Sequence, residues 1–415
     1  MKAYIETYGC TANKSDASII KGILKLEGYN FVNDPKDADI IIILTCTVIA
    51  STEQRMLFRI SKLREYGKKL VVAGCMASVQ ADLVKRVAPE SFLLPPGEVY
   101  RIAEIAGGRA FERKSKTSLP RYYEGVVAPI AISEGCSFSC TYCITSKARG
   151  RLKSFPKKEI VSTAKEAIEK GCKEIQLTAQ DLSSYGMDSG ERLKDLVEDI
   201  CNIEGDFMIR LGMMNPRTAR RIVDDLVEIY RNEKVYKFLH LPVQSGDDSI
   251  LERMERGYKS QDFIDLVEKV REEIPELTLS TDIIVAFPGE DEDAFMRSVE
   301  LIKKVEPDIV NITRFSPRAH TKARLFKDRI PTHVAKERSR FLTEVCKKIS
   351  FERNKKYVDK CFKVLLTEKG KGKTTVGRTF NYKPVVLPAE LQLGKFVYAK
   401  AIEARQTYLL GSLVS

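Results

Sequence analysis

A chain of 415 residues is long enough for two or three domains at about 150 residues each. Hydrophobic residues make up 43% of it, which supports packed cores, and no apolar run reaches the ~18 residues of a membrane span. The net charge of +12 favours an acidic partner, with nucleic acid first among them. Met1-Lys2-Ala3-Tyr4-Ile5-Glu6 reads as the start of a strand without a signal-peptide layout, so the expected location is cytoplasmic. In that compartment ten cysteines speak for metal binding or catalysis rather than disulfides. The charge is unevenly spread. Residues 356–415 hold eleven Lys/Arg against four Asp/Glu and so carry +7 of the +12.

Residues 1–112 alternate strand and helix. Strands are expected at Ala3–Tyr8, Asp39–Leu44 and Lys69–Ala73, and helices at Asp16–Glu27, Thr52–Tyr66 and Val79–Val87. This alternation predicts an open parallel sheet covered by helices. Cys10, Cys46 and Cys75 each follow one of the three strands. Open parallel sheets carry their sites just beyond the carboxyl ends of strands, so the three could converge on a second iron–sulfur site. Each could equally be a small buried hydrophobe. Gly9 and Gly74 suit tight turns before Cys10 and Cys75. Residues 113–124 are charged, contain Pro120 and read as a linker.

From residue 125 to 358 six strand–helix units are expected. Their strands are Val126–Ile132, Glu174–Thr178, Phe207–Leu211, Lys237–Val243, Thr278–Ala286 and Ile309–Phe315. Helices begin near Pro156, Arg192, Arg217, Ser260, Glu292 and Thr332. Six such units make an incomplete (β/α)6 barrel. After its first strand comes Cys136-Ser137-Phe138-Ser139-Cys140-Thr141-Tyr142-Cys143, with three residues in the first gap and two in the second. Three thiolates can hold three irons of a [4Fe–4S] cluster and leave the fourth open to a chelating amino acid. This motif resembles that of radical S-adenosylmethionine (SAM) enzymes. A zinc site would need a fourth cysteine or a histidine, and the chain has only His240, His320 and His333. Thr178-Ala179-Gln180-Asp181, Arg210, Gln244-Ser245-Gly246 and Pro288-Gly289-Glu290 fall at other strand ends. They could line a SAM pocket or simply cap the next helices.

Residues 359–415 contain five short alternating runs: Phe362–Leu366, Thr374–Arg378, Lys383–Leu387, Lys395–Ile402 and Tyr408–Leu413. They predict a small β-barrel. Lys369, Lys371 and Lys373 form a basic turn, and Arg378, Phe380, Tyr382 and Lys383 interleave charge with aromatics. That mixture suits a phosphate backbone and stacked bases better than a merely solubilising surface, given the skewed charge.

Along its whole length the chain resembles the methylthiotransferases, which are radical SAM enzymes with an extra N-terminal cluster domain and a C-terminal TRAM barrel. The resemblance is carried by Glu6–Asn13, Thr45–Val48, Ala73–Met76, the cysteine triplet, His240–Gly246 and Thr281–Glu290. Ala148–Pro156 and Gly9–Asn13 are most similar to the archaeal and eukaryotic branch. That branch acts on N6-threonylcarbamoyladenosine beside the tRNA anticodon. The resemblance implies two [4Fe–4S] clusters, on Cys136/Cys140/Cys143 and on Cys10/Cys46/Cys75. It implies SAM cleavage to a 5′-deoxyadenosyl radical and sulfur insertion at the adenine C2 carbon. It also implies a tRNA anticodon loop as partner, an electron donor and a sulfur source. Tyr142 resembles the residue that meets the SAM adenine, and Gln180 and Gln244 are further expected SAM contacts. Leu44, Ala286 and Ala319-His320 depart from the family pattern, where Asn, Gly and Pro-Gly are frequent.

Two other readings compete. Related enzymes modify isopentenyladenosine in tRNA or an aspartate of a ribosomal protein. Outside the enzyme class, the same features would suit an RNA-binding iron–sulfur or zinc protein.

Overall fold

In the computed structural model, which describes residues 1–111 and 115–414, the isoleucine run lies at the centre of the first sheet. Its strands are β1 (Lys2–Thr7), β2 (Asn30–Phe31), β3 (Ile40–Thr45), β4 (Lys69–Gly74) and β5 (Phe92–Leu94). All pair in parallel in the order β2-β1-β3-β4-β5. Ile40, Ile42 and Leu44 face α1 (Thr11–Leu26), which presents Ile19, Ile20, Ile23 and Leu24. Ile41 and Ile43 face α2 (Ala50–Arg64), which presents Met56, Ile60 and Leu63. A strand buried on both faces needs this continuous apolar run. Expected Val79–Val87 divides into α3 (Cys75–Val79) and α4 (Ala81–Val87), broken at Gln80 by its φ of −139°. Helix α5 (Ile102–Ile105) packs beside α1 on the opposite face.

The central strands are β6 (Val127–Ala131), β9 (Glu174–Thr178), β10 (Met208–Leu211), β11 (Phe238–His240), β12 (Thr278–Val285) and β13 (Ile309–Arg314). A two-stranded ribbon, β7 (Ser133–Glu134) with β8 (Lys153–Ser154), frames the cysteine loop. The six strands are parallel and follow chain order as two halves, β6-β9-β10 and β11-β12-β13. The halves meet where Tyr236 N–H bonds to Ile209 O at 2.9 Å and Met214 N–H to His240 O at 2.9 Å. Around them run α6 (Thr145–Arg149), α7 (Lys157–Glu169), α8 (Leu193–Cys201), α9 (Pro216–Ala219), α10 (Val223–Arg231), α11 (Asp248–Arg253), α12 (Ser260–Glu273), α13 (Glu292–Val305) and α14 (Thr332–Lys355). Pro216 opens α9, where the missing N–H costs nothing.

Strands β14 (Cys361–Lys369), β15 (Thr375–Arg378), β16 (Pro384–Leu387), β17 (Phe396–Ala404) and β18 (Leu409–Leu413) close into a barrel, in the order β14-β15-β16-β18-β17. Val364, Leu366, Val385, Leu387, Ala399 and Leu409 fill it. Among the described residues no helix is long and apolar enough to cross a membrane.

Two expectations change here. Arg378, Phe380, Tyr382 and Lys383 do not form a free face for bases; Tyr382 and Lys383 dock this barrel onto the central unit, while Phe380 and Arg378 are engaged within the barrel. Tyr382 lies edge-on to Tyr236 at 4.8 Å and beside Phe238 at 5.0 Å, and its hydroxyl donates to Glu174 at 3.0 Å. Lys383 is buried on Asp308 and Asn354, both at 2.8 Å. Phe380 packs into the barrel core, and Arg378 pairs with Glu368 at 2.7 Å. An aromatic–basic mixture satisfies a domain seam as well as a nucleic acid, because both offer carboxylate or phosphate oxygens and flat apolar surface. The exposed cations of this barrel include Lys363, Lys369, Lys371, Lys373 and Lys395. The second change concerns residues 115–121 of the charged linker. Lys116, Thr117 and Arg121 are buried, and Arg121 donates to Ser15 and Ser18 of α1 at 3.1 and 3.0 Å.

Candidate functional site

Strands β1, β3 and β4 are neighbours, so Cys10, Cys46 and Cys75 follow the carboxyl ends of three adjacent strands. The turns that deliver them need glycine. Gly9 has φ +96°, and a Cβ there would stand 2.8 Å from Cys46 Cβ. Gly74 has φ +86°, and a Cβ there would stand 2.7 Å from Thr45 O. The chain is thus cut away where the three loops crowd together. Cys10 caps α1 and is exposed, Cys46 is half-buried, and Cys75 opens α3 in a buried position. Burial pushes the Cys75 thiol up to about 11; the Arg149 guanidinium pulls against this, while Cys10 and Cys46 add to it. Burial also raises Cys46, opposed by the backbone N–H of Val48 and helped by Cys10. Cys46 and Cys75 therefore sense the charge of the neighbouring sulfurs. Loading any cation here would expel their protons.

The second triad lies in the loop after β6–β7. Phe138 N–H points to Cys136 Sγ at 3.5 Å, and Cys143 N–H bonds to Cys140 O at 3.0 Å, which curls the loop. The loop is clamped from the far side of the barrel. Thr141 N–H donates to Met254 O at 3.1 Å, its hydroxyl to Arg253 O at 3.1 Å, and Ala323 N–H donates to Thr141 O at 2.9 Å. Burial pushes Cys136 up to about 11, with Asp181, Cys143 and Cys140 adding to it. Burial and Cys140 likewise raise Cys143. A cavity of about 670 Å³ opens beside Cys136, lined also by Phe138, Lys147, Arg151, Leu152 and Met187.

Among the described residues no three His, Cys, Asp or Glu side chains converge on a point as ligands of a single ion. A cubane cluster does not need such convergence, because it takes each thiolate on a different iron. His240 is engaged elsewhere: its Nε2 lies 3.0 Å from Asp282, which also accepts from Asn311 at 2.8 Å.

The expected SAM contacts separate. Tyr142 sits within the triplet loop and packs edge-on to Phe287, ring centroids 6.4 Å apart. Gln180 accepts from Gly135 N–H at 2.6 Å, so its side chain fixes the turn into Cys136. Gln244 lies in the other half of the barrel, at φ +77°, where its N–H bonds to Asp282 O and its C=O accepts from Ile284. Asp181 is buried and accepts from Asn215 N–H, Thr218 and Ser183 at 2.9, 2.7 and 2.7 Å. It pins strand-end loops rather than capping one helix. Glu290 accepts from Ala286 N–H at 2.9 Å and pairs with Arg338 at 2.8 Å. Ala286 and His320, two of the departures from the family pattern, take φ +57° and +62°, which explains why glycine suits both places.

Sequence reasoning missed Arg256. Its Nη1 donates to Cys140 Sγ at 3.4 Å, its Nη2 to Pro242 O at 3.0 Å and its Nε to Tyr258 at 2.9 Å. It missed Asn13, Arg149 and Arg318 as well. Asn13 bonds to Tyr8 O and Thr45 O at 2.7 and 2.9 Å, and its Oδ1 accepts from Arg149 at 2.8 Å. Arg318 reaches from beyond β13 to Thr47, beside Cys46, at 3.0 Å and pairs with Glu53. Nothing in local spacing marks these residues; their partners are up to 271 positions away.

Comparison with known proteins adds the following. Residues 130–302 match the Radical SAM superfamily, residues 2–94 the Uncharacterized protein family UPF0004, and residues 355–414 the TRAM domain. The chain is 43% identical over 430 residues to a Pyrococcus horikoshii protein named "Probable threonylcarbamoyladenosine tRNA methylthiotransferase", covering 100% of both. It is 34% identical over 436 residues to a Fusobacterium nucleatum protein named "tRNA-2-methylthio-N(6)-dimethylallyladenosine synthase", again covering 100% of both. To a Drosophila melanogaster "Threonylcarbamoyladenosine tRNA methylthiotransferase" the identity is 33% over 433 residues, covering 100% of this chain and 78% of the fly protein. Among solved structures, the radical S-adenosylmethionine methyltransferase TsrM of Kitasatospora setae superposes with a TM-score of 0.57 at 14% identity. That match covers 78% of this chain and 76% of the other, and it is a likeness of fold.

Proposed function

The chain belongs to the radical SAM methylthiotransferase family, and on that premise we propose that it adds a methylthio group to C2 of N6-threonylcarbamoyladenosine at position 37 of tRNA. The observation that carries this reading is the full-length 43% identity to an archaeal protein of that name, against 34% to the dimethylallyladenosine enzyme. Cys136, Cys140 and Cys143 would hold a [4Fe–4S] cluster, with an open coordination site for SAM. Cys10, Cys46 and Cys75 hold a second one. Both sets fit: each offers three thiols from separate backbone positions, and the glycines at 9 and 74 keep Cβ atoms out of the N-terminal cradle.

With cluster and SAM bound, the barrel site supplies radical chemistry strong enough for an aryl C–H bond, which side-chain acid–base work cannot break. The chain supplies the frame. Gln180 and the Thr141 clamps hold the triplet loop, so the three cysteines that would bind the cluster keep their places. Arg256 donates to Cys140 Sγ and places a fixed positive charge beside that sulfur. Tyr142 offers a ring wall for the adenine of SAM, and Gln244 is a further proposed SAM contact. The target adenine enters as an unpaired anticodon-loop base. The small C-terminal barrel contributes exposed lysines for the phosphate backbone.

The test is nucleoside mass spectrometry of tRNA from a host lacking methylthio-nucleosides, with and without this chain. Appearance of methylthio-threonylcarbamoyladenosine is expected. Appearance of methylthio-isopentenyladenosine alone would move the substrate. A Cys140→Ala chain that still released 5′-deoxyadenosine from SAM would remove the triplet from its assigned role. Iron after anaerobic reconstitution should be about eight per chain, and about four in a Cys10/Cys46/Cys75 triple-alanine chain.

A further inference from the structure

Four charged side chains close a ring between the two triads. Lys116 Nζ donates to Asp16 and Glu134, both at 2.7 Å. Arg149 donates to the same two carboxylates, at 2.8 and 2.9 Å. The ring joins distant parts of the chain: Asp16 lies on α1 just after Cys10, Glu134 precedes Cys136, and Arg149 ends α6, which follows Cys143. Lys116 comes from the segment between the two units. The Arg149 side chain is 3% exposed. Two cations and two anions balance, so the ring is neutral by itself and stable only as a whole.

One corner reaches further than the ring. Arg149 Nη2 also donates to Asn13 Oδ1, which leaves the Asn13 amide free to grip Tyr8 O and Thr45 O. Those carbonyls precede Cys10 and Cys46. Helix α3, which Cys75 opens, packs against α6, which Arg149 ends. The Arg149 Nε–H is buried and has no acceptor among the described residues. A neutral ring needs no such extension. A site that gathers three thiolates does, because negative charge in a partly buried cradle calls for a fixed cation and N–H donors.

We infer that Arg149, supplied by the barrel, is the positioning residue of the N-terminal sulfur site: it holds the three cysteine loops together through Asn13 and places a fixed positive charge beside Cys75. The inference rests on the two-cluster reading above. Its consequence is that the N-terminal site is complete only when the barrel is docked, so both triads are built as one unit. Charge and N–H donation near the sulfurs help set a cluster's reduction potential.

The experiment is an EPR-monitored dithionite titration of the reconstituted full chain as wild type, Arg149→Gln and Arg149→Lys. The N-terminal signal is assigned as the one missing from the Cys10/Cys46/Cys75 triple-alanine chain. Arg149→Gln should move the N-terminal potential to lower values, because removing the cation disfavours the more negative reduced state. Arg149→Lys should recover the larger part. Loss of the N-terminal irons in Arg149→Gln but not in Arg149→Lys would support the same role. Unmoved potentials and full iron in Arg149→Gln would overturn the inference. So would equal effects of Gln and Lys, which would make Arg149 a packing residue. About four irons in the wild type would overturn the two-cluster reading itself, a failure recognisable before any variant is compared.

Discussion

Replacing Lys383 with Met tests whether this residue anchors the C-terminal barrel or reads RNA. Its ammonium is almost fully buried and bonds to Asp308 Oδ1 and Asn354 Oδ1, both at 2.8 Å. Asp308 is buried too; it forms an ion pair with Arg353, whose Nε lies 2.8 Å from Oδ1, and accepts from Leu279 N–H at 2.9 Å. Removing one partner of a buried ion pair costs about 3–5 kcal/mol. With Lys383→Met, Asp308 keeps Arg353 and the Leu279 N–H, so the loss lies near the lower end, about 3 kcal/mol. With Asp308→Asn, two buried cations lose their shared anion, so the loss lies near the upper end, about 5 kcal/mol. The order of the two variants is thus part of the prediction. Burial pushes the Asp308 carboxyl up, but Lys383 and Arg353 outweigh it and hold it below the usual range. Its contribution is therefore complete above about pH 3.9, the ordinary unfolded value, and disappears as pH falls through the lower folded value. Urea unfolding followed by circular dichroism reads both, at pH 7.5 for the order of the variants and over a descending pH series for the Asp308 titration. If Lys383→Met stayed within about 0.5 kcal/mol of wild type, as surface changes do, while weakening tRNA binding, the anchoring argument would be wrong.

Gly74→Ala forces a Cβ to within 2.7 Å of Thr45 O at φ +86°. It should cost about 1–3 kcal/mol and lower iron uptake by the N-terminal site, while wild-type iron would show that the turn tolerates a side chain. Changing Lys369, Lys371 and Lys373 together to Gln should weaken tRNA binding and reduce the log–log salt slope by about 2–3; an unchanged slope would remove this turn from the RNA face. Ala286→Gly relieves a left-handed residue at φ +57°. It should raise stability by up to about 1 kcal/mol in the same urea assay, and a loss would mean that the Ala286 methyl packs usefully.

Much of this protein was legible along the chain. The isoleucines of β3 predict a strand buried on both faces, and that strand lies at the centre of its sheet. Local spacing also revealed the triplet loop and the five short strands of the last barrel, because strand period, helix period and cysteine gaps are short-range properties. The glycines before Cys10 and Cys75 announced the left-handed turns that the structure contains. Boundaries were less legible. Helix α1 starts at Thr11 rather than Asp16, since Asn13 is held by Tyr8 O just after β1 and by Thr45 O of β3, the latter outside any local window.

What the tertiary structure alone decided was the use of each charge. Lys383 and Tyr382 look like RNA ligands in sequence and become the seam between two barrels. Lys116 looks like a solvated linker residue and becomes one side of a buried ring. Gln180, an expected ligand contact, is also a strut under Cys136. A charged or amide group carries its donors and acceptors wherever the fold takes it. Whether they meet water, phosphate or another buried side chain depends on partners tens to hundreds of residues away. Sequence determines which groups are available; the packing of β1, β3 and β4 beside the barrel loop determines that Asn13 and Arg149 stand where the cysteines gather.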